Sequence, residues 1–307
     1  MPEPRPSLLV PVQPPSAGPL PAAPLTGILL LIAACFFLPA MDTAAKILAQ
    51  RYSITEVVWA RYLFNFLLMV PFVLHRHGVS GFLPPRPALQ VLRGIMLMIS
   101  TAFYFWGISR LPIADALALA FVHPMVVTAL APFLLGEAVG PRRWAAVVVG
   151  FSGALLVIRP GFDGVEPLGA ALSLGAGVTY GLFLIITRQL SGSAAPMVTL
   201  ASSALVGSII MSAVVPFAWT TPSLEDLGLM VLMGALATAS NYLVIRAFDC
   251  APASLLAPFG YAEMIGAAGF GYLFFGDFPD AWTWAGIAVI VGSGIYISLR
   301  EGKIAGK

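Results

Sequence analysis

The 307-residue sequence predicts an all-α integral membrane protein, ten transmembrane helices arranged as two inverted five-helix repeats. Three observations predict it. Hydrophobic residues make up 59% of the chain and charged residues 10%, and the mean hydropathy is +0.92. Soluble domains carry roughly 25% charged residues, so a chain this poor in charge cannot cover a water-facing surface, and its solvent is lipid. Apolar runs long enough to cross a bilayer, roughly 20 residues each, recur along the chain. The second half also repeats landmarks of the first at a shift of 140 residues.

Residues 1–26 hold nine prolines and almost no charge, and they read as a disordered cytoplasmic tail. The parts of a signal peptide do not follow one another there, so the first apolar run, from Gly27, is expected to remain as a signal-anchor helix. Apolar runs bounded by charge, Pro and Gly place the spans at 27–49, 55–74, 88–109, 113–135, 143–159, 167–190, 196–219, 224–248, 252–275 and 281–299. Pro112, Pro141, Pro167, Pro196 and Pro252 open spans, where a missing N–H costs nothing. The repeats are then expected at 27–161 and 162–300, with a cytoplasmic tail at 301–307. Cys35 and Cys250 have the spacing of neither a disulfide framework nor a metal site, and no cofactor is expected.

Lysine and arginine set the orientation, because basic loops are retained in the cytoplasm. With the N-terminus inside, Arg5, Arg76, Arg86, Arg93, Arg142, Arg143, Arg188, Arg246, Arg300, Lys303 and Lys307 face the cytoplasm. Lys46, Arg51, Arg110 and Arg159 lie at the outer side, and Arg61 sits inside a span. Both termini are therefore expected in the cytoplasm. The net charge of +2 is too small and dispersed for nucleic-acid binding, which leaves the lipid bilayer and a small-molecule substrate as partners.

The repeat is legible at landmarks. Gly94 aligns with Gly234, Ser100 with Ser240, Pro112 with Pro252, Gly136 with Gly276 and Trp144 with Trp284. Glu137 and Asp277 follow the paired glycines. Five spans per half is an odd number, so the second half enters the membrane from the opposite side. Inverted repeats of this kind bind substrate near the midplane, between halves that rock around it. Ser173, Gly177 and Gly181, and Ala262 with Gly266, form small-residue stripes for close helix packing.

Residues 103 to 161 resemble the C-terminal part of an EamA domain of the drug/metabolite transporter superfamily. The motifs that carry the resemblance are LPIADA at 111–116, LLGE at 134–137 and GALLVIRPG at 153–161, with FGD at 275–277 in a more divergent second copy. The resemblance implies two inverted five-helix repeats, no ATP-binding domain, and a central substrate cavity in a bacterial-type inner membrane. Relatives carry amino acids, vitamins, nucleosides, S-adenosylmethionine, opine-type metallophores and drugs, so both export and uptake occur among them.

Polar groups inside spans are the candidates for lining that cavity, since an ionisable side chain at a helix centre costs at least ~2.5 kcal/mol. Asp42 and Lys46 lie one turn apart on the first span, at a spacing that lets opposite charges neutralise each other or wall a zwitterion site. Arg61 and Asn65 repeat the spacing on the second span. The Arg61 guanidinium either snorkels to the outer headgroups or grips a carboxylate through its planar fork. His123 and Glu263 sit near the centres of spans four and nine, at positions equivalent under the 140-residue shift, and form a candidate midplane pair for substrate or a coupling proton. Trp59, Tyr104, Trp106, Tyr180, Asn241 and Tyr261 complete a candidate lining. Trp144, Trp219, Trp282 and Trp284 read as interface anchors.

No HExxH, GxSxG, P-loop or DDxxD pattern is present, which speaks against a membrane enzyme. The expectation is alternating-access export of a small polar or zwitterionic metabolite. The alternative is proton-coupled uptake of a vitamin, nucleoside or S-adenosylmethionine-like compound. The topology carries a direct expectation. In a Cys35→Ala, Cys250→Ala background, single cysteines introduced at positions 163 and 280 should react with an impermeant maleimide in intact cells. Those at 81 and 142 should not, and outside labelling at 81 would refute the inverted arrangement.

Overall fold

The computed structural model describes residues 24–82, 84–136, 139–159 and 166–305. Most of the proline-rich tail, Glu137, Gly161, Asp163 and Lys307 lie outside the described residues. The helices are α1 (Pro24–Leu48), α2 (Ile54–His77), α3 (Pro87–Ile108), α4 (Ile113–Ala120), α5 (His123–Leu134), α6 (Pro141–Ile158), α7 (Pro167–Gln189), α8 (Pro196–Val214), α9 (Leu224–Cys250), α10 (Ala253–Leu256), α11 (Ala262–Phe275) and α12 (Ala281–Ala305). Ten spans result, because α4 with α5 forms the fourth, and α10, a 3₁₀ turn at Ala257–Tyr261 and α11 form the ninth.

Spans four and nine are the two that break, at equivalent positions. In span four the cause is local. Pro124 has no N–H to give, so the Ala120 carbonyl four residues back loses its helical donor. His123 Nδ1 takes that place, 3.2 Å from Ala120 O. A carbonyl only accepts, so Nδ1 is the donor in this contact. In span nine Pro258 stands inside the 3₁₀ turn, and the Cys35 thiol donates to Gly260 O at 3.5 Å. The restarted helices α5 and α11 thus begin with His123 and Glu263 in their first turns.

Packing between the halves follows a pseudo-twofold. α1 packs on α9 as α7 packs on α3, α2 packs on α9 as α8 packs on α3, and α1 packs on α11 as α7 packs on α4 and α5. The pairs α2–α8 and α6–α12 lie across the axis itself. The repeat landmarks sit at these contacts. Gly94 lets α3 approach Val206, and its equivalent Gly234 lets α9 approach Phe64. Ser100 donates to Ala176 O at 2.9 Å, and Ser240 donates to Ala34 O at 3.2 Å. Gly136 and Gly276 both end helices at positive φ, 68° and 73°, a conformation that a side chain penalises. At Gly276 the cap is complete: Asp277 N–H reaches Gly271 O, closing the helix end.

One end of the bundle carries the C-termini of α1, α3, α6, α8 and α11. There Lys46 pairs with Asp277, Arg51 with Asp226, Arg110 with Glu166 and Arg159 with Asp280. These are the four basic residues expected on the outer side, and each has an acid. Asp280 also caps α12. The Thr283 N–H, 2.8 Å away, and then the Arg159 guanidinium hold its carboxyl below the usual carboxylate range. At the other end Arg93 departs from expectation. It is buried rather than in the cytoplasm, donating to Thr187 Oγ1, Thr199 O and Ser203 Oγ at 2.7–2.8 Å, with Phe183 under its guanidinium at 4.6 Å. Three satisfied donors and a ring face make burial of that charge tolerable.

The small-residue stripe on α7 does what its spacing suggests. A Cβ on Gly177 would lie 2.6 Å from the Ala120 carbonyl oxygen, and backbone at a helix crossing cannot yield cheaply. Gly177→Ala should therefore destabilise the detergent-solubilised protein by about 1–3 kcal/mol, read as a lowered Tm. Gly228→Ala, with nothing within 4 Å of the new Cβ, should leave Tm unchanged or slightly raised.

Candidate functional site

The two breaks flank a cavity of about 770 Å³ between the halves. It reaches from the bundle centre towards the end where Gln189 and Cys250 lie, with Arg188, Leu184 and Phe248 along its outer length. Towards the opposite end it stops at Phe105, Leu117 and Asp42. Beyond them Leu48, Val57, Ile108 and Ile113 are fully buried and make a solid plug.

Nine of the ten candidate residues come together on the wall: Asp42, Arg61, Asn65, Tyr104, His123, Tyr180, Asn241, Tyr261 and Glu263. Lys46 does not. Its ammonium points away from Asp42, donating to Leu111 O at 2.8 Å and Asp277 Oδ2 at 3.1 Å. The same-helix pair expected from spacing is thus absent, because a partner across the halves reaches Lys46 at the far side of the plug. Trp59 and Trp106 also leave the lining. Trp59 donates to Ser212 Oγ at 3.0 Å beside the Trp219 ring, and Trp106 is exposed on the bundle surface.

The lining divides into a charged wall and an aromatic one. On the charged wall Tyr104 donates to Asp42 Oδ2 at 3.1 Å, while Asp42 Oδ1 is buried with no partner. Arg61 does not snorkel. It donates through Nη1 to Thr101 Oγ1, lies against the Tyr62 and Phe105 rings, and leaves a buried Nε unpaired. Thr101 accepts from Arg61, shares a hydrogen bond with Tyr62 and donates to Leu97 O. A hydroxyl that can accept while donating to its own helix carries no sequence signal, which is why Thr101 escapes a search for charged residues. Asn65 accepts from Thr238 at 3.4 Å.

The aromatic wall is a ladder. Tyr261 meets Phe121 at 5.3 Å, Phe121 meets His123 at 5.3 Å, and His123 meets Tyr180 edge-on at 5.0 Å. Gly294 leaves the room that the Tyr261 hydroxyl occupies. His123 and Glu263 line the same cavity, from the equivalent breaks of spans four and nine. Among the described residues no cluster of His, Cys, Asp and Glu has the geometry to hold a metal.

The arrangement is a closed-ended, largely apolar cavity between inverted repeats, with a few buried hydrogen-bonding atoms left open. The comparisons agree with it. The model of the EamA-like transporter family matches residues 25–159 and again 167–299. An S-adenosylmethionine uptake transporter of Rickettsia felis is 28% identical, over 91% of this chain and 94% of its own. A riboflavin transporter of Rhizobium johnstonii is 29% identical over 81% and 82%. A pseudopaline exporter of Pseudomonas aeruginosa is 28% identical over 89% and 96%. A solved crystal structure shares the fold, with a TM-score of 0.62 at 19% identity, covering 92% of this chain and 98% of the other. Two matches spanning nearly the whole described chain, on a bundle of ten helices with a central cavity, make this protein a member of the EamA-like transporter family: a multi-span membrane transporter of a small molecule.

Proposed function

We propose that the protein moves a small zwitterionic metabolite across the inner membrane by alternating access, with both termini in the cytoplasm and the repeats at 27–161 and 162–300. One observation carries the substrate reading. Asp42 Oδ1 and Arg61 Nε are buried polar atoms without partners on one cavity wall. An ammonium and a carboxylate on one ligand would satisfy both, and a planar guanidinium suits the carboxylate. In the proposed orientation the cavity opens to the cytoplasm, the state in which a carrier loads for export.

A second reading is uptake of an S-adenosylmethionine-like compound, which joins an amino-acid head to an adenine ring. The aromatic ladder opposite the charged wall favours it, and Rickettsia relatives carry that activity in their names. In this reading Glu263, which has no ion-pair partner among the described residues, is the group that takes a coupling proton.

Counterflow in proteoliposomes tests both. Preloaded zwitterionic metabolites should exchange with labelled external copies, and Asp42→Asn should lower that exchange at least tenfold at normal protein abundance. Exchange of riboflavin with no exchange of any zwitterion would overturn the reading. The Arg61 contact has its own test. Arg61→Lys should lose nearly as much exchange as Arg61→Ala, because the ammonium cannot present the fork; full activity of the Lys variant would reduce Arg61 to a simple counter-charge.

A further inference from the structure

The plug end of the bundle holds a largely buried cation paired across the two halves. Lys46 lies one helical turn beyond Asp42 on α1, and its side chain is 11% exposed. It joins three segments at once: α1 itself, the α3–α4 turn through Leu111 O, and the α11–α12 turn through Asp277. Phe275 lies beneath the ammonium, 4.7 Å from its ring centre. Asp277 is held in place by the Gly276 cap, its N–H bonded to Gly271 O. The contact therefore fastens the first half to the second at the end where the cavity is shut.

Opening that end must draw the α11–α12 turn away from α1. Lys46 is then left in a span without its acid, a costly state in lipid. One acceptor lies within its reach without any backbone change. Residues at i and i+4 on a helix stand about 5–6 Å apart at Cβ, and Asp42 has one buried oxygen, Oδ1, that nothing occupies.

We propose that Lys46 exchanges partners during the transport cycle, from Asp277 when the outer end is closed to Asp42 when it is open. The i, i+4 pair written into the first span is then the pair of the alternate state. The exchange also links gate to cargo, a link that rests on Asp42 being the substrate's cation site. A substrate ammonium on Asp42 displaces Lys46, which returns to Asp277 and closes the outer end.

Two experiments test the exchange without using any substrate, so they stand apart from the zwitterion reading. The first reads the gate. In the background lacking Cys35 and Cys250, Leu117→Cys places a thiol on the cavity side of the plug. With Lys46 and Asp277 intact it should react slowly with an impermeant maleimide added to intact cells. Asp277→Asn or Lys46→Met should raise that rate at least threefold, and an unchanged rate in both would refute the gate. The second reads the exchange as membrane abundance. Asp42→Asn and Asp277→Asn alone should be tolerated, since each leaves Lys46 one acid. The double variant should lose abundance by more than the product of the two single effects, and adding Lys46→Met should restore it. A double variant no worse than that product, or no rescue by Lys46→Met, would overturn the partner exchange while leaving the gate result to stand.

Discussion

Inside a bilayer there is no water to accept what the chain leaves unpaired, and the central features of this protein are responses to that constraint. The Ala120 carbonyl is the plainest case. Pro124 removes its donor, and three things gather at the vacancy: the His123 ring, the end of α4, and the bare backbone of Gly177 from α7. Pro39 in α1 frees the Cys35 carbonyl in the same way, and Gly266 of α11 closes on it. Both of these carbonyls lie where a glycine lets a neighbouring helix come close. The breaks that place His123 and Glu263 are tolerated because they are enclosed by protein and face a cavity.

Charge obeys the same rule, sorted by depth. Near the closed end each of Lys46, Arg51, Arg110 and Arg159 finds an acid on another segment, and all four pairs join the first half to the second. Pairs half-exposed at a headgroup are worth little one by one. Lys46 is the exception in burial, and so is the one whose partner matters most. Towards the other end Arg93 is satisfied by hydroxyls and a carbonyl instead of an acid. At the centre Asp42, Glu263 and Arg61 share a wall with Tyr104 and Thr101, and there the satisfaction is incomplete. That leftover hydrogen-bonding capacity is what the proposed zwitterionic substrate would use.

The span limits, the opposite sense of the halves and the equivalence of His123 with Glu263 were all present in the sequence. Length and apolarity of a run are local properties, and lipid reads them directly. Gly94, Ser100 and Gly136 recur 140 residues on because equivalent crossings and turns need the same small residue twice. What stayed hidden was which face of each helix turns inward. Spans that are apolar all round carry no stripe to separate a lipid face from a protein face. Lys46 beside Asp42, Trp59 and Trp106 in the lining, and Arg93 in the cytoplasm all followed from position along a span without its rotation. Only tertiary packing decided that rotation. It sent Lys46 across to Asp277 and turned Arg93 inward onto Phe183, while packing inside the first half brought Thr101 of α3 under Arg61 of α2, because each of these partners lies tens of residues away or more and becomes a neighbour only when the helices meet.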